Sequence, residues 1–359
     1  MTNWVRKIEY CEYACSDIDV LKNPDIRKCS EIRKGTIDVS YFELAFAIAK
    51  SIISKEAVFK REMLLLAVSY AIQLQFIFTE NKKNYLSINF ENKDLFRDFS
   101  KSSRDGEIAQ GINYLLAQKL LGAVAVEDFK TYAYDILKCS PKCSKKTPDY
   151  ILKYKGNELG ILESKGSLNA DPTQSLDYAM KQCDSGVDYL NYNKIKCKNS
   201  YASVVTFATS KNNKRNTCIY FADPVIGDAS VDDFDKSIFR EYSKWFYIAG
   251  NENVANMLKK GEVLTENNDF LRTSMDNSEH IAISRRVQYD LIDNKQYIVE
   301  LGIHSHALQY LQGKREWKKF ESILDVNSDG VYEEYSDGTY IRISEFTEER
   351  LKQFDSLYF

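Results

Sequence analysis

Thr147-Pro148-Asp149-Tyr150-Ile151-Leu152-Lys153-Tyr154-Lys155, then Gly156-Asn157, then Glu158-Leu159-Gly160-Ile161-Leu162-Glu163-Ser164-Lys165-Gly166-Ser167 is the stretch that decides the fold. Pro148–Lys155 and Glu158–Lys165 are rich in strand-forming residues, and Gly156-Asn157 between them is a hairpin signal. Side chains alternate across a strand, so Glu163 and Lys165 share one face while Leu162 and Ser164 take the other. Asp149 opens the paired strand, and the hairpin brings its carboxylate beside Glu163. Two carboxylates that close repel unless a cation lies between them, and oxygen-only ligands select a hard ion such as Mg²⁺, or Mn²⁺. Asp149, Glu163 and the backbone carbonyl of Ser164 are the expected ligands.

The surrounding pattern extends this hairpin into a domain. Glu107–Leu121 carries Ile108, Ile112, Leu115, Leu116 and Leu120 at helical spacing. A second helix is expected from Pro172 to Leu190, then strands at Ala202–Thr209 and Thr217–Phe221. Helix, hairpin, helix, strand, strand predicts an α/β domain, a mixed sheet flanked by helices, over residues 99–228. Residues 1–98 are expected to be a mainly helical region: Tyr41–Ile53 and Glu62–Phe78 have helical periodicity, the charged run Lys55–Arg61 separates them, and Tyr85–Phe90 is a short strand. Residues 229–359 alternate, predicting an α+β accessory domain. Its helices are Asp233–Ile248, His306–Leu324 and Glu348–Leu357, its clearest strand is Tyr297–Ile303, and a hairpin pivots on Ser336-Asp337-Gly338.

Pro148-Asp149 followed by Glu163-Ser164-Lys165 resembles the PD-(D/E)xK nuclease superfamily, which includes many restriction endonucleases and RecB-type nucleases. The likeness covers about 120 residues, from near Glu107 to near Phe221, and implies a restriction-endonuclease-like sheet with the motif on a hairpin. It implies metal-dependent phosphodiester hydrolysis, the ion polarising a phosphoryl oxygen and acidifying water while Lys165 orients that water or stabilises developing charge. Glu107, in Arg104-Asp105-Gly106-Glu107-Ile108-Ala109-Gln110, matches a further acidic ligand of many members; the alternative is an acid placed in a helix's first turn for its dipole. Gln174-Ser175-Leu176-Asp177-Tyr178 resembles the QxxxY element of RecB-type enzymes. Its competitor is a capping box formed by Asp171, Pro172 and Gln174, in which case Gln182 is the polar side chain that reaches the site. By the same resemblance the chain is a DNA endonuclease of restriction or anti-phage defence, working as a homo-oligomer or with a partner defence protein. A repair or recombination nuclease, and a catalytically idle nucleic-acid-binding or assembly protein, are the rival expectations.

The 359 residues carry a net charge of −3, so composition gives no global sign of a polyanionic partner. Local charge does. Lys138, Lys142, Lys145, Lys146, Lys153 and Lys155 face the single acid Asp149, and Lys194, Lys196, Lys198, Lys211, Lys214 and Arg215 face none. Either these runs attract a nucleic-acid backbone, or they are solvated loops. No export signal opens the chain, so the expectation is a cytoplasmic protein with reduced thiols. Cys11-x3-Cys15 and Cys139-x3-Cys143 are read as ordinary buried thiols in preference to a split zinc site. Met63–Phe78 is too short to span a membrane and is interrupted by Gln73 and Gln75, predicting a buried core helix. No GxxxxGK[ST] or GxGxxG pattern occurs, which argues against a nucleotide-driven motor. His304 and His306 have no acid or cysteine neighbour in sequence and are read as structural.

Overall fold

The computed structural model describes residues 5–15, 24–52, 63–80, 84–89, 98–139, 146–155, 158–209, 215–224, 234–265, 279–290, 295–327 and 330–347. Contacts divide the chain into two units, Met1–Val58 with Leu65–Ile238, and Phe59–Leu64 with Phe239–Phe359.

The first unit is mixed α/β. Its strands are β1 (Val5–Cys15), β2 (Ser30–Ser40), the small pair β3 (Phe78–Glu80) and β4 (Leu86–Ile88), then β5 (Ala125–Asp128), β6 (Tyr150–Lys153), β7 (Leu159–Ser167), β8 (Asn199–Thr206) and β9 (Cys218–Pro224). Its helices include α1 (Tyr41–Ile52), α2 (Met63–Ile77), α3 (Asp98–Lys119) and α4 (Thr173–Tyr192). Seven strands form one sheet in the order β2-β1-β9-β8-β7-β6-β5. β5, β6 and β7 are antiparallel neighbours, whereas β8 returns parallel to β7 after crossing over through α4. Such a crossover leaves a helix on one sheet face.

Two glycines let the helices approach. A Cβ at Gly166 of β7 would stand 2.7 Å from the Asp105 carbonyl oxygen and 3.0 Å from Ala109 Cβ, so α3 lies against the face that Ser164 and Gly166 share. A Cβ at Gly186 of α4 would stand 2.5 Å from Pro148 Cγ and Cδ. The opposite face is filled by Ile151, Leu159, Ile161, Leu176, Ala179, Met180, Cys183 and Leu190, which share one buried cluster. Ile108, Ile112, Leu115 and Leu116 of α3 are buried as expected; Leu120 falls just beyond the helix.

Residues 1–98 differ from the helical region expected of them. β1 and β2 join the same sheet as the hairpin, β1 pairing with β9 in parallel, so this segment builds the α/β unit with the residues that follow it. Charge hid these strands: Arg6, Lys7, Glu9 and Glu12 punctuate β1, and Glu31, Arg33 and Lys34 lie exposed on the edge strand β2, where charged side chains discourage further pairing. α2 is not the wholly buried helix expected from its composition. Ala67, Ala71, Leu74 and Ile77 are buried, but Ile72 and Phe76 are exposed. No helix among the described residues is long and apolar enough to cross a membrane. Cys11, Cys139, Cys183, Cys197 and Cys218 are free thiols, whereas Cys29 is in a disulfide, so the expectation of a fully reduced chain fails there.

The second unit holds an antiparallel sheet of β10 (His280–Asp290), β11 (Lys295–His304), β12 (Ile323–Asn327), β13 (Gly330–Glu334) and β14 (Thr339–Glu345), in the order β10-β11-β14-β13-β12. The turn Ser336-Asp337-Gly338 joins β13 to β14 as expected, with Gly338 at φ 78°. α5 (Phe234–Ile248) matches its expectation, and α6 (Glu252–Lys259) was not anticipated. α7 (Ser305–Leu311) stops well short of Leu324. Gly313, at φ 67°, follows its last turn in the conformation that ends helices. Lys55–Arg61, Gly156-Asn157 and Glu348–Leu357 lie outside the described residues.

Candidate functional site

The β6–β7 register pairs Tyr150 with Leu162 and Ile151 with Ile161, so one further step sets Asp149 opposite Glu163. Directly opposed residues of an antiparallel pair present their side chains on the same face. The two acids therefore meet as the sequence predicted. Asp149 is fixed by the Ser164 amide, which donates to its Oδ2 at 3.0 Å. In an extended strand the amide and carbonyl of one residue point to the same side, so the Ser164 carbonyl is also turned toward Asp149.

Glu163 is fully buried, and Lys165 pairs with its Oε1. Among the described residues no side chain donates to its Oε2, while the Asp149 backbone amide favours the charged form of the group. Burial first, and the Asp149 carboxylate second, push the Glu163 pKa up to about 8, outweighing the Lys165 ammonium. Burial likewise raises Asp149, against the pull of the Ser164 amide and Lys165. A buried acid pair whose like charges oppose ionisation, with no described side chain donating to one oxygen, is what a divalent cation neutralises. The residues therefore fit Mg²⁺ or Mn²⁺, with Asp149, Glu163 and the Ser164 carbonyl as its ligands. Among the described residues no group of three or more His, Cys, Asp or Glu side chains is arranged to hold a metal.

Ser164 turns the other way, as alternation requires. Its hydroxyl accepts from Asn113 Nδ2 at 2.8 Å, and Asn113 Oδ1 accepts from Ser203 Oγ at 2.5 Å. This fully buried bridge ties α3 to β7 and β8 directly behind the acids. Asn113 was not anticipated; a lone polar residue on the apolar stripe of α3 was the available signal.

On the near side, α4 holds the segment that leads into Asp149. The Lys146 ammonium donates to Tyr178 Oη at 2.7 Å, Gln182 Nε2 donates to the Thr147 carbonyl at 3.1 Å, and Gly186 accommodates the Pro148 ring. Tyr178, Gln182 and Gly186 are spaced i, i+4, i+8, one row on the helix. They receive Lys146, Thr147 and Pro148 in order. Gln182 thus reaches the site neighbourhood, with its Oε1 buried and lacking a donor, as is Thr147 Oγ1. Gln174 is exposed in the first turn of α4; the Thr173 amide donates to Asp171 Oδ1 at 2.9 Å, but Pro172 holds the N-cap position without a side-chain cap bond, so the full capping box is not formed there. Tyr178 is the half of the QxxxY likeness that stands at the site: its ring centroid lies 5.5 Å from Lys165 Nζ.

Glu107 is held elsewhere. α3 begins at Asp98, so Glu107 is not in its first turn and the dipole reading falls. Its carboxylate accepts from Tyr70 Oη of α2 at 2.9 Å, while Asp105 and Ala109 are the residues that α3 turns toward β7. The expected ligand role for Glu107 therefore gains no support from the geometry.

Among the described residues the basic side chains do not form one frame around the acids. Lys142, Lys145, Lys211 and Lys214 lie outside the described residues. Lys153 is fully buried in β6 with its ammonium 5.5 Å from the Tyr132 ring centroid, so it belongs to the core. Lys194 and Lys196 are exposed, and Lys198 pairs with Glu158 at 2.5 Å where β8 begins. Arg215 donates to the Leu168 and Phe207 carbonyls, at 2.6 and 3.1 Å, beyond the opposite ends of β7 and β8. Lys146 alone of these is placed against the site. His304 and His306 keep their structural reading: His304 Nδ1 accepts the His306 amide at 3.0 Å and caps α7.

No family model matches the chain, and neither a curated protein nor a solved structure matches it.

Proposed function

We propose that the chain is a metal-dependent nuclease of restriction-endonuclease-like fold that hydrolyses phosphodiester bonds in DNA. One observation carries the reading: Glu163 is buried opposite Asp149, its pKa raised to about 8, with Lys165 on the same face. Desolvating an acid against another acid costs stability, and such arrangements concentrate at reaction centres. A bound Mg²⁺ or Mn²⁺ would supply a Lewis acid for the phosphate and make water more acidic.

The chain's own residues divide the remaining work. Asp149 and Glu163 bind the ion, and Ser164 fixes Asp149 through its amide. Lys165 has 30% of its side chain exposed, so its ammonium can meet a phosphate oxygen or orient the attacking water. Gln182 and Gly186 hold Thr147-Pro148, hence Asp149. A role in defence against foreign DNA, as a homo-oligomer or with a partner, follows from the superfamily resemblance alone.

The test is incubation of wild type, Lys165→Ala and Glu163→Gln with linear, circular and single-stranded DNA in Mg²⁺ or Mn²⁺. Cleavage by wild type that both substitutions reduce at least about a hundredfold is expected. Equal cleavage by all three would refute the reading. Calorimetric binding of Mg²⁺ that ignores Glu163→Gln would point to the idle, nucleic-acid-binding alternative.

A further inference from the structure

We propose that the strand held at this centre presents an unpaired nucleotide whose base stacks on Tyr178. The inference rests on the nuclease reading and names its substrate class. Tyr178 is 43% exposed, large for an aromatic ring beside a buried acid pair. Its surroundings are cationic: Lys165 Nζ lies 5.5 Å and Lys146 Nζ 5.3 Å from its centroid. Lys146 also donates to the phenol oxygen at 2.7 Å, so that ammonium sits beyond the hydroxyl, at the end of the ring and not over its face. The contact holds the ring by its hydroxyl, and 43% of the residue remains exposed to a planar ligand.

Scale sets the occupant. A phosphate touching Lys165 has its own nucleoside within one residue's reach of Tyr178, because the amine and the ring are neighbours. In a duplex both faces of a base are covered by adjacent bases, so a base can lie on the ring only from a single strand, a frayed end or a flipped nucleotide. Exposed aromatic rings interleaved with amines are how single strands are held without sequence preference. A simple tether for Lys146 would need only the hydroxyl; stacking needs the ring.

That difference makes the proposal testable with the full chain in Ca²⁺, using oligonucleotides that carry 2-aminopurine, single-stranded or in a closed duplex. Wild type and Tyr178→Phe should bind the single strand and quench its fluorescence. Tyr178→Ala should lose the quench and bind about tenfold more weakly or worse, with unchanged unfolding. In Mg²⁺, wild type should cut single strands or strand ends faster than closed circular duplex, and Tyr178→Ala should narrow that ratio. Single-strand binding by Tyr178→Ala equal to wild type, or equal cutting of both substrates by wild type, would overturn the proposal. If Tyr178 quenches the probe but nothing cleaves in any divalent ion, the stacking assignment stands and the nuclease reading fails.

Discussion

Replacing Glu163 by Gln removes the buried charge while keeping the shape of the side chain, and its effect should depend on pH in a calculable way. The folded protein holds the Glu163 pKa at about 8 against the usual 4.5, chiefly through burial and next through Asp149. A raised folded pKa means that the native state binds the proton more tightly than the unfolded chain. That contribution is therefore intact below the unfolded pKa and is lost as pH climbs through the folded value. The shift of three to four units, at ~1.4 kcal/mol each, sets a ceiling of about 5 kcal/mol. Most of it should disappear from wild type between about pH 5 and about pH 9. Glu163→Gln has no such proton to lose, so its stability advantage over wild type in a chelating buffer should grow by several kcal/mol across that range. Urea unfolding followed by circular dichroism at each pH measures it. Saturating Mg²⁺ should then restore wild type and leave the variant unmoved, because the ion binds the ionised pair. A difference between the two proteins that stays flat with pH would refute the reasoning, since Glu163 would then not be held protonated by its surroundings.

Gly186→Ala drives a methyl into the Pro148 ring at 2.5 Å and should cost about 1–3 kcal/mol in urea unfolding, with weaker Mg²⁺ binding as Asp149 shifts. Asn113→Leu leaves the Ser164 and Ser203 hydroxyls without their buried partner, so a loss of about 2–3 kcal/mol is expected; a neutral outcome would deny the bridge its role. His304 caps α7 only while its Nδ1 is unprotonated. Burial holds its pKa below the ordinary histidine value, with Glu334 and Glu279 opposing and His280 and Lys318 assisting. Its contribution is thus present above the unfolded histidine pKa and lost as pH falls toward the folded one. Wild type should lose stability relative to His304→Asn on acidification below about pH 6.5, and parallel pH profiles would count against the cap.

The sequence by itself determined the hairpin and the facing of its side chains, because strand alternation and a short connection are local properties. Period-two alternation places Glu163 with Lys165 and turns Ser164 away, and the register that opposes Asp149 to Glu163 follows from the short connection. The helices α1, α3, α4 and α5 were legible for the same reason, each carrying its own apolar periodicity. Only the tertiary structure decided the rest, because it depends on residues far apart in the chain. β1 and β2 have charged, weakly patterned sequences and become strands by pairing with each other and with β9, some two hundred residues away. Glu107 shares the motif's helix, yet the side of α3 it occupies meets Tyr70 on α2. Lys153 reads as one more lysine in a basic run until the sheet buries it. Tyr178, Gln182 and Gly186 form a row on any helix, but what that row grips, Lys146-Thr147-Pro148, is settled only when α4 packs beside β7.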